Sequence, residues 1–159
     1  MKALIVYDSV FGNTGKVAQA IGEAVAMSLD GQVQTLPVGK VSMEQFRGLK
    51  LLIIGSPTRS LRPTPAITNL LKSLAKNQLF GITVAAFDTR LCLDTIDSSA
   101  LRFIVDKGGY AASTIAKTMQ KKGGKLAAPP EGFLVTGEKG PLKDGELARA
   151  VNWANGIRK

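Results

Sequence analysis

Leu4, Ile5, Val6 and Tyr7 form an uncharged run near the start of the chain, closed by Asp8. A continuous apolar stretch favours extended backbone buried on both faces, as in the centre of a parallel sheet. From Thr14 onward the period changes: Val17, Ala18, Ile21, Val25 and Leu29 recur at intervals of three and four and draw one apolar stripe down a helix. Gly31 breaks that helix, and residues 32–37 alternate as a short strand with Val33 and Leu36 as its apolar members. Residues 42–46 have room for one helical turn before Gly48. A second continuous apolar strand spans residues 50–56. Pro63 and Pro65 then hold a loop extended before Ala66, Ile67, Leu70, Leu71 and Leu74 describe a helix, with Thr64 placed to cap it and Pro65 at its first position. Gly81 leads into a third buried strand over residues 82–87, which Asp88 is expected to stop.

The stretch from Thr89 to Gly108 is the least regular in the chain. Ser98 is placed to cap a short helix carrying Leu101, Ile104 and Val105, which Gly108 and Gly109 would end, and residues 93–108 read as an enlarged loop. A further helix is expected over residues 110–121, with Ile115 and Met119 inside and Gly123 and Gly124 beyond its end. A last strand begins at 125–128, is interrupted by Pro129 and Pro130, and resumes at 132–135. Two prolines place it at a sheet edge. Residues 144–157 make a closing amphipathic helix with Leu147, Val151, Trp153 and Ala154. Strands alternating with helices predict an α/β fold: a doubly wound five-stranded parallel sheet, helices on both faces, right-handed crossovers, and a single domain over residues 1–159.

Composition narrows the chemistry. With 45% hydrophobic and 21% charged residues the chain is an ordinary globular one, without low-complexity tracts or internal repeats. Its single cysteine excludes an intramolecular disulfide or a cysteine-based zinc cluster, and the absence of histidine removes imidazole catalysis and the commonest metal ligand. No metal is therefore expected. The first apolar segment is too short for a signal peptide, and no run approaches the roughly 20 residues of a membrane span, so the expected location is cytoplasmic. The formal net charge of +9 suits an acidic partner, nucleic acid or an anionic membrane, and equally a solvated basic surface. The basic residues are scattered, with only Lys121 and Lys122 adjacent in mid-chain, which offers no nucleic-acid-binding tract.

Ligands of doubly wound sheets sit at the carboxyl ends of the strands, where three loops fall: residues 8–14, 56–64, and from Asp88 onward. The first is a candidate phosphate cradle. A short turn there points the free amides of a helix N-terminus into the crevice; Ser9, Asn13 and Thr14 add side-chain donors, and Gly12 permits close approach. Ser9 and Thr14 also suit plain helix capping. A Walker loop is excluded because Gly15 and Lys16 are followed by Val17 and the position five before Gly15 is Val10. The G-x-G-x-x-G dinucleotide fingerprint is absent. A phospho-receiver domain would need an aspartate where the central strand ends, and Gly55 and Ser56 stand there.

The motifs Y-D-S-V-F-G-N-T at 7–14, G-S-P-T at 55–58 and F-D-T-R at 87–90 resemble those of the flavodoxin family, and are similar also to the flavodoxin domains of flavo-diiron proteins. The likeness extends to P-P-E-G-F at 129–133 and G-P-L-K-D-G-E-L at 140–147. It implies strand order 2-1-3-4-5 and non-covalent FMN. The implied contacts are Ser9, Val10, Phe11, Gly12, Asn13 and Thr14, with the phosphate on Ser9, Gly12, Asn13 and Thr14. The ring would lie between Pro57, Thr58, Arg59, Ser60 and Leu61 on one side and Asp88, Thr89, Arg90, Leu91 and Cys92 on the other. The lone Cys92 also reads as a packing residue.

The implied activity is electron transfer to or from a redox partner protein at the exposed flavin edge, an acidic partner suiting the charge, with FMN doing the redox chemistry and no catalytic side chain. Two alternatives remain open: a small FMN-dependent NAD(P)H:quinone reductase, in which the loop arginines grip the nicotinamide's phosphates, and a flavin-free basic interaction module. Two departures from the family stand out. Neither ring loop carries an aromatic, Phe11 and Phe87 being the nearest in sequence. Arg59, Arg62 and Arg90 stand where acidic residues are usual, and a positive charge about 8 Å from the ring favours the reduced anion by roughly 2 kcal/mol before screening.

Overall fold

The computed structural model describes residues 1–59, 62–92 and 110–157. Its strands are β1 (Lys2–Tyr7), β2 (Gln32–Pro37), β3 (Leu51–Pro57), β4 (Thr83–Leu91), β5 (Lys125–Leu126) and β6 (Glu131–Val135). The helices are α1 (Asn13–Ser28), α2 (Pro65–Ser73), α3 (Ala111–Lys121) and α4 (Glu146–Ile157), with two 3₁₀ turns at Val38–Lys40 and Met43–Phe46. The strand order is β2-β1-β3-β4-β5 with every pairing parallel, as the resemblance implies.

The apolar runs are central strands because both of their faces are covered. Leu4, Val6, Leu52, Ile54, Val84 and Ala86 pack with Ile67 and Leu71 of α2 and Ile115 and Met119 of α3. Ile5, Ile53, Ala85 and Phe87, one residue out of step, pack with Val17 and Ile21 of α1 and Ala150 and Ala154 of α4. Trp153 joins that second layer edge-on to Phe87 and Phe133, with ring centroids 6.2 and 6.0 Å away. Gly55 has no side chain because the Phe87 ring lies where a Cβ would go.

The edge strand is broken where the prolines stand. β5 pairs with Thr83 and Val84, and β6 with Phe87–Leu91, so both pieces flank β4 on the side away from β3. α4 clamps the second piece. Glu146 accepts a hydrogen bond from the Leu134 amide at 2.6 Å, and Arg149 bonds Glu146 at 2.7 Å, Glu131 at 3.1 Å and the Gly132 carbonyl.

Two expectations change. Asp88 does not stop its strand: β4 continues to Leu91, because β6 pairs with that extension and Arg90 neutralises the buried carboxylate. Pro65 does open α2, but the Thr64 hydroxyl makes no capping bond and is buried without a partner, while the Thr64 amide donates to Ser56 Oγ at 3.0 Å. The helix expected after Ser98 and the enlarged loop at 93–108 lie outside the described residues.

Candidate functional site

Parallel strands bring the turns after β1, β3, β4 and β6 to one edge of the sheet. Here α1 begins abruptly. Gly12, at φ 93°, turns the chain into the helix, a conformation costly for residues with a Cβ. Ser9 Oγ accepts the amides of Gly12 at 3.1 Å and Gly15 at 3.2 Å, folding the loop back on itself. The first bond of the helix runs from the Lys16 amide to the Gly12 carbonyl. The amides of Val10, Phe11, Asn13 and Thr14 have no acceptor among the described residues. They sit at the positive end of a 16-residue helix with no acidic residue in its first turn.

Side chains tie this loop to its neighbours. Thr14 Oγ1 lies 2.8 Å from Thr89 Oγ1, joining the first loop to β4. Asn13 Nδ2 donates to the Lys139 carbonyl at 3.1 Å, and its amide lies where Gly140, at φ 97°, would carry a Cβ. The turn after β6 is thereby held against the start of α1.

Beside the loop lies a cleft of about 280 Å³, lined by Val10, Phe11, Asn13 and Thr14, by Pro57, Thr58 and Arg59, by Thr89, Arg90 and Leu91, and by Val135 and Glu138. The three loops expected at this edge thus converge. Ser9 and Gly12 shape the first loop without lining the cleft. Ser60 and Leu61 lie outside the described residues, next to the point where Arg59 and Arg62 exchange main-chain hydrogen bonds, both 2.9 Å.

The two loops expected to flank a ring are organised around a buried ion pair. Asp88 is fully buried, below the cleft. Arg90 Nε and one terminal nitrogen grip its two oxygens, each at 2.7 Å, and the Ala112 amide donates to it at 2.9 Å. Thr58 Oγ1 accepts the Ala111 amide at 3.2 Å. The first turn of α3 is therefore capped from across the sheet, because Tyr110 at its N-cap position has no capping side chain. Burial pushes the Asp88 carboxyl up from its usual range, while Arg90 and the Ala112 amide pull the other way.

The Arg90 guanidinium also lies 3.4 Å from the centre of the Tyr110 ring, and it passes close over Gly132, where a Cβ would collide with it. Its charge is spent on Asp88. Of the arginines expected to act on a ring, Arg59 remains exposed at the cleft with no ion pair among the described residues. Cys92 is buried beyond the cleft, its amide bonded to the Val135 carbonyl at 3.0 Å.

Val135, Glu138 and Tyr110 are missing from the sequence reading of the site. The signal for the first two was the parallel direction of the last strand, which puts its carboxyl end at the same edge as the other three. Tyr110 is distant in sequence from Arg90 and is brought there by the α3 capping contacts. Among the described residues there is no cluster of metal-ligating side chains, and no helix long and apolar enough to cross a membrane.

No protein-family model and no curated protein sequence matches the chain. Solved structures do. A flavodoxin from the domain Archaea is similar at 22% identity and TM-score 0.75, over 100% of both chains. Oxidised flavodoxin 1 from Bacillus cereus is similar at 13% identity and TM-score 0.75, over 99% of this chain and 97% of its own. Rubredoxin oxygen:oxidoreductase from Desulfovibrio gigas is similar at 17% identity and TM-score 0.75, over 98% of this chain but 35% of its own. The fold is flavodoxin-like.

Proposed function

We propose that the chain binds FMN without a covalent link, phosphate on residues 9–14 and ring in the adjoining cleft, and that it exchanges electrons with a partner protein at the cleft mouth. The observation that carries this reading is the set of amides without acceptors at Val10, Phe11, Asn13 and Thr14, gathered at the positive end of α1 beside the Thr14–Thr89 hydroxyl pair. A phosphate monoester is an acceptor-only dianion, and this donor set fits it. Bound there, FMN supplies one- and two-electron redox chemistry.

The protein's share is positioning. The Ser9 hydroxyl fixes the curl of the loop, Asn13 fixes the turn at Lys139, and the Asp88–Arg90 pair with its α3 contacts stiffens the floor on which a ring would rest. Phe11, 43% exposed on the cleft wall, is the aromatic best placed to cover a ring, in the absence of one in the ring loops.

The visible spectrum of the purified protein, followed by titration with FMN and with riboflavin, tests the reading. FMN should bind with a flavin spectrum and bind far more tightly than riboflavin, which lacks the phosphate. Equal affinities would remove the phosphate cradle. No binding of either would leave a flavin-free interaction module, and steady NAD(P)H consumption with a quinone would make the protein a reductase.

A further inference from the structure

In a doubly wound parallel sheet the strand starts and the helix ends share one edge, opposite the cleft. Lys2 and Lys125 open β1 and β5, and Lys50 immediately precedes β3. Their neighbourhood is fixed by the ladder: the Lys50 amide donates to the Lys2 carbonyl at 2.9 Å, the Thr83 amide to the Lys50 carbonyl at 2.9 Å, and the Lys125 amide to the Ile82 carbonyl at 3.0 Å. Lys121 ends α3, and Lys76 lies in the turn between α2 and β4. Helix ends attract lysines through the macrodipole, and the Lys2 ammonium is held by the Arg47 carbonyl at 2.8 Å, but Lys50 and Lys125 have no such tie among the described residues. The described carboxylates at this edge are Asp30 and Glu44, the latter paired with Arg47 at 3.4 Å.

Large apolar side chains stand out among these charges. Phe80, in the turn before β4, is 81% exposed; Met27, in the last turn of α1, is 88% exposed; Met1 is 60% exposed. A hollow of about 310 Å³ opens at the same edge, with Lys50 and Lys125 on its rim and Leu51, Leu126 and Ile157 in its floor.

From this juxtaposition we propose that the amino edge of the sheet is a docking surface for anionic phospholipid bilayers. Lysines would face the headgroups, with Phe80 and Met27 entering the interface between them. Separate apolar prongs among point charges suit a lipid surface, where each prong finds hydrocarbon independently. A protein partner would call for a contiguous apolar core, from which lysine is depleted, and a nucleic acid would favour arginine forks and stacking aromatics in a groove. Docking by this edge leaves the cleft, at the other end of the strands, facing away from the membrane.

Co-sedimentation with vesicles of phosphatidylcholine alone, and with about 30% phosphatidylglycerol, tests the proposal. The protein should pellet with the anionic vesicles and not with the neutral ones, and added salt should release it. Replacing Lys50, Lys76 and Lys125 together by Gln should lower partitioning on the order of a hundredfold, each lysine being worth about fivefold. Phe80→Ser should lower it further, with the circular dichroism spectrum unchanged in every variant. Lys122 is left in place because its ammonium bonds the Leu74 carbonyl at the end of α2. The idea is overturned by failure to pellet with anionic vesicles, by binding that survives the triple substitution but is lost in Arg59→Gln, or by retention on RNA or an acidic protein with no lipid binding.

Discussion

Thr14 and Thr89 meet hydroxyl to hydroxyl at 2.8 Å across 75 residues of chain, so that the start of α1 and the end of β4 share one hydrogen bond. Only one of the two hydroxyl protons is used in that bond. The other is free to donate beside amides that have no acceptor.

A hydrogen bond to a charged phosphate is worth about 1.5 to 3 kcal/mol, so Thr14→Val should weaken FMN binding at least about tenfold. Thr89→Val should also weaken it, and the double variant should lose less than the sum, since the two hydroxyls work as a pair. Fluorescence titration of FMN decides this: unchanged affinity in both single variants would detach the pair from phosphate binding.

Arg90 is the countercharge of a fully buried carboxylate. Arg90→Ala should destabilise the fold by about 3 to 5 kcal/mol at neutral pH, the usual effect of stranding one partner of a buried pair. Without Arg90 the Asp88 carboxyl rises further above its unfolded value, the folded state binds the extra proton, and stability recovers as pH falls. Denaturant melts of Arg90→Ala at about pH 7 and pH 5 should therefore show a smaller deficit at the lower pH; a deficit that grows on acidification would contradict the pairing.

Glu146 behaves in the opposite sense, because Arg149 holds its carboxyl below the usual range. Its contribution is complete above the unfolded carboxylate value of about 4.3 and is lost as pH falls through the lower folded value. Glu146→Gln should cost about 1 to 3 kcal/mol at neutral pH and should flatten the acid limb of the stability curve. Thermal melts from about pH 6 down to pH 2 measure it, and parallel acid limbs in wild type and variant would exclude the assignment.

Gly55→Ala would push a methyl group into the Phe87 ring, which packs on the single tryptophan, Trp153. Overpacking of this kind costs about 1 to 3 kcal/mol. The Trp153 emission maximum should shift together with the loss of stability. A stable variant with unaltered emission would mean that Phe87 has room to move aside.

Short-range chemistry was legible in the sequence. The loop from Asp8 to Thr14 has its strand, turn and helix within a few residues, so the succession of strand, turn and helix followed from period and residue type alone, whereas Gly12 serves by its positive φ at the entry to α1 and not by lining the cleft. The broken edge strand followed equally from Pro129 and Pro130. Asp88 was misread because an aspartate after an apolar run is ordinarily a solvent-facing stop. What keeps it buried is partly near, Arg90 two residues on, and partly far, the Ala112 amide 24 residues away. Likewise the loop arginines looked equivalent in sequence, and the Asp88 and Tyr110 contacts separate Arg90 from the exposed Arg59. Thr64 shows the reverse limit: a residue at a capping position need not cap, since Ser56 takes its amide and leaves its hydroxyl buried.

The clamp between α4 and β6 also bears on how the molecule avoids its own copies. An outermost strand normally presents free amides and carbonyls that template pairing with another chain. Along β6 those groups are already taken: the Gly132 carbonyl by Arg149, the Leu134 amide by Glu146, and the Leu134 carbonyl by the Lys143 amide at 2.9 Å. Two charged side chains and a turn thus impersonate the next strand. The sheet stops growing there, and this border offers no seed for edge-to-edge aggregation.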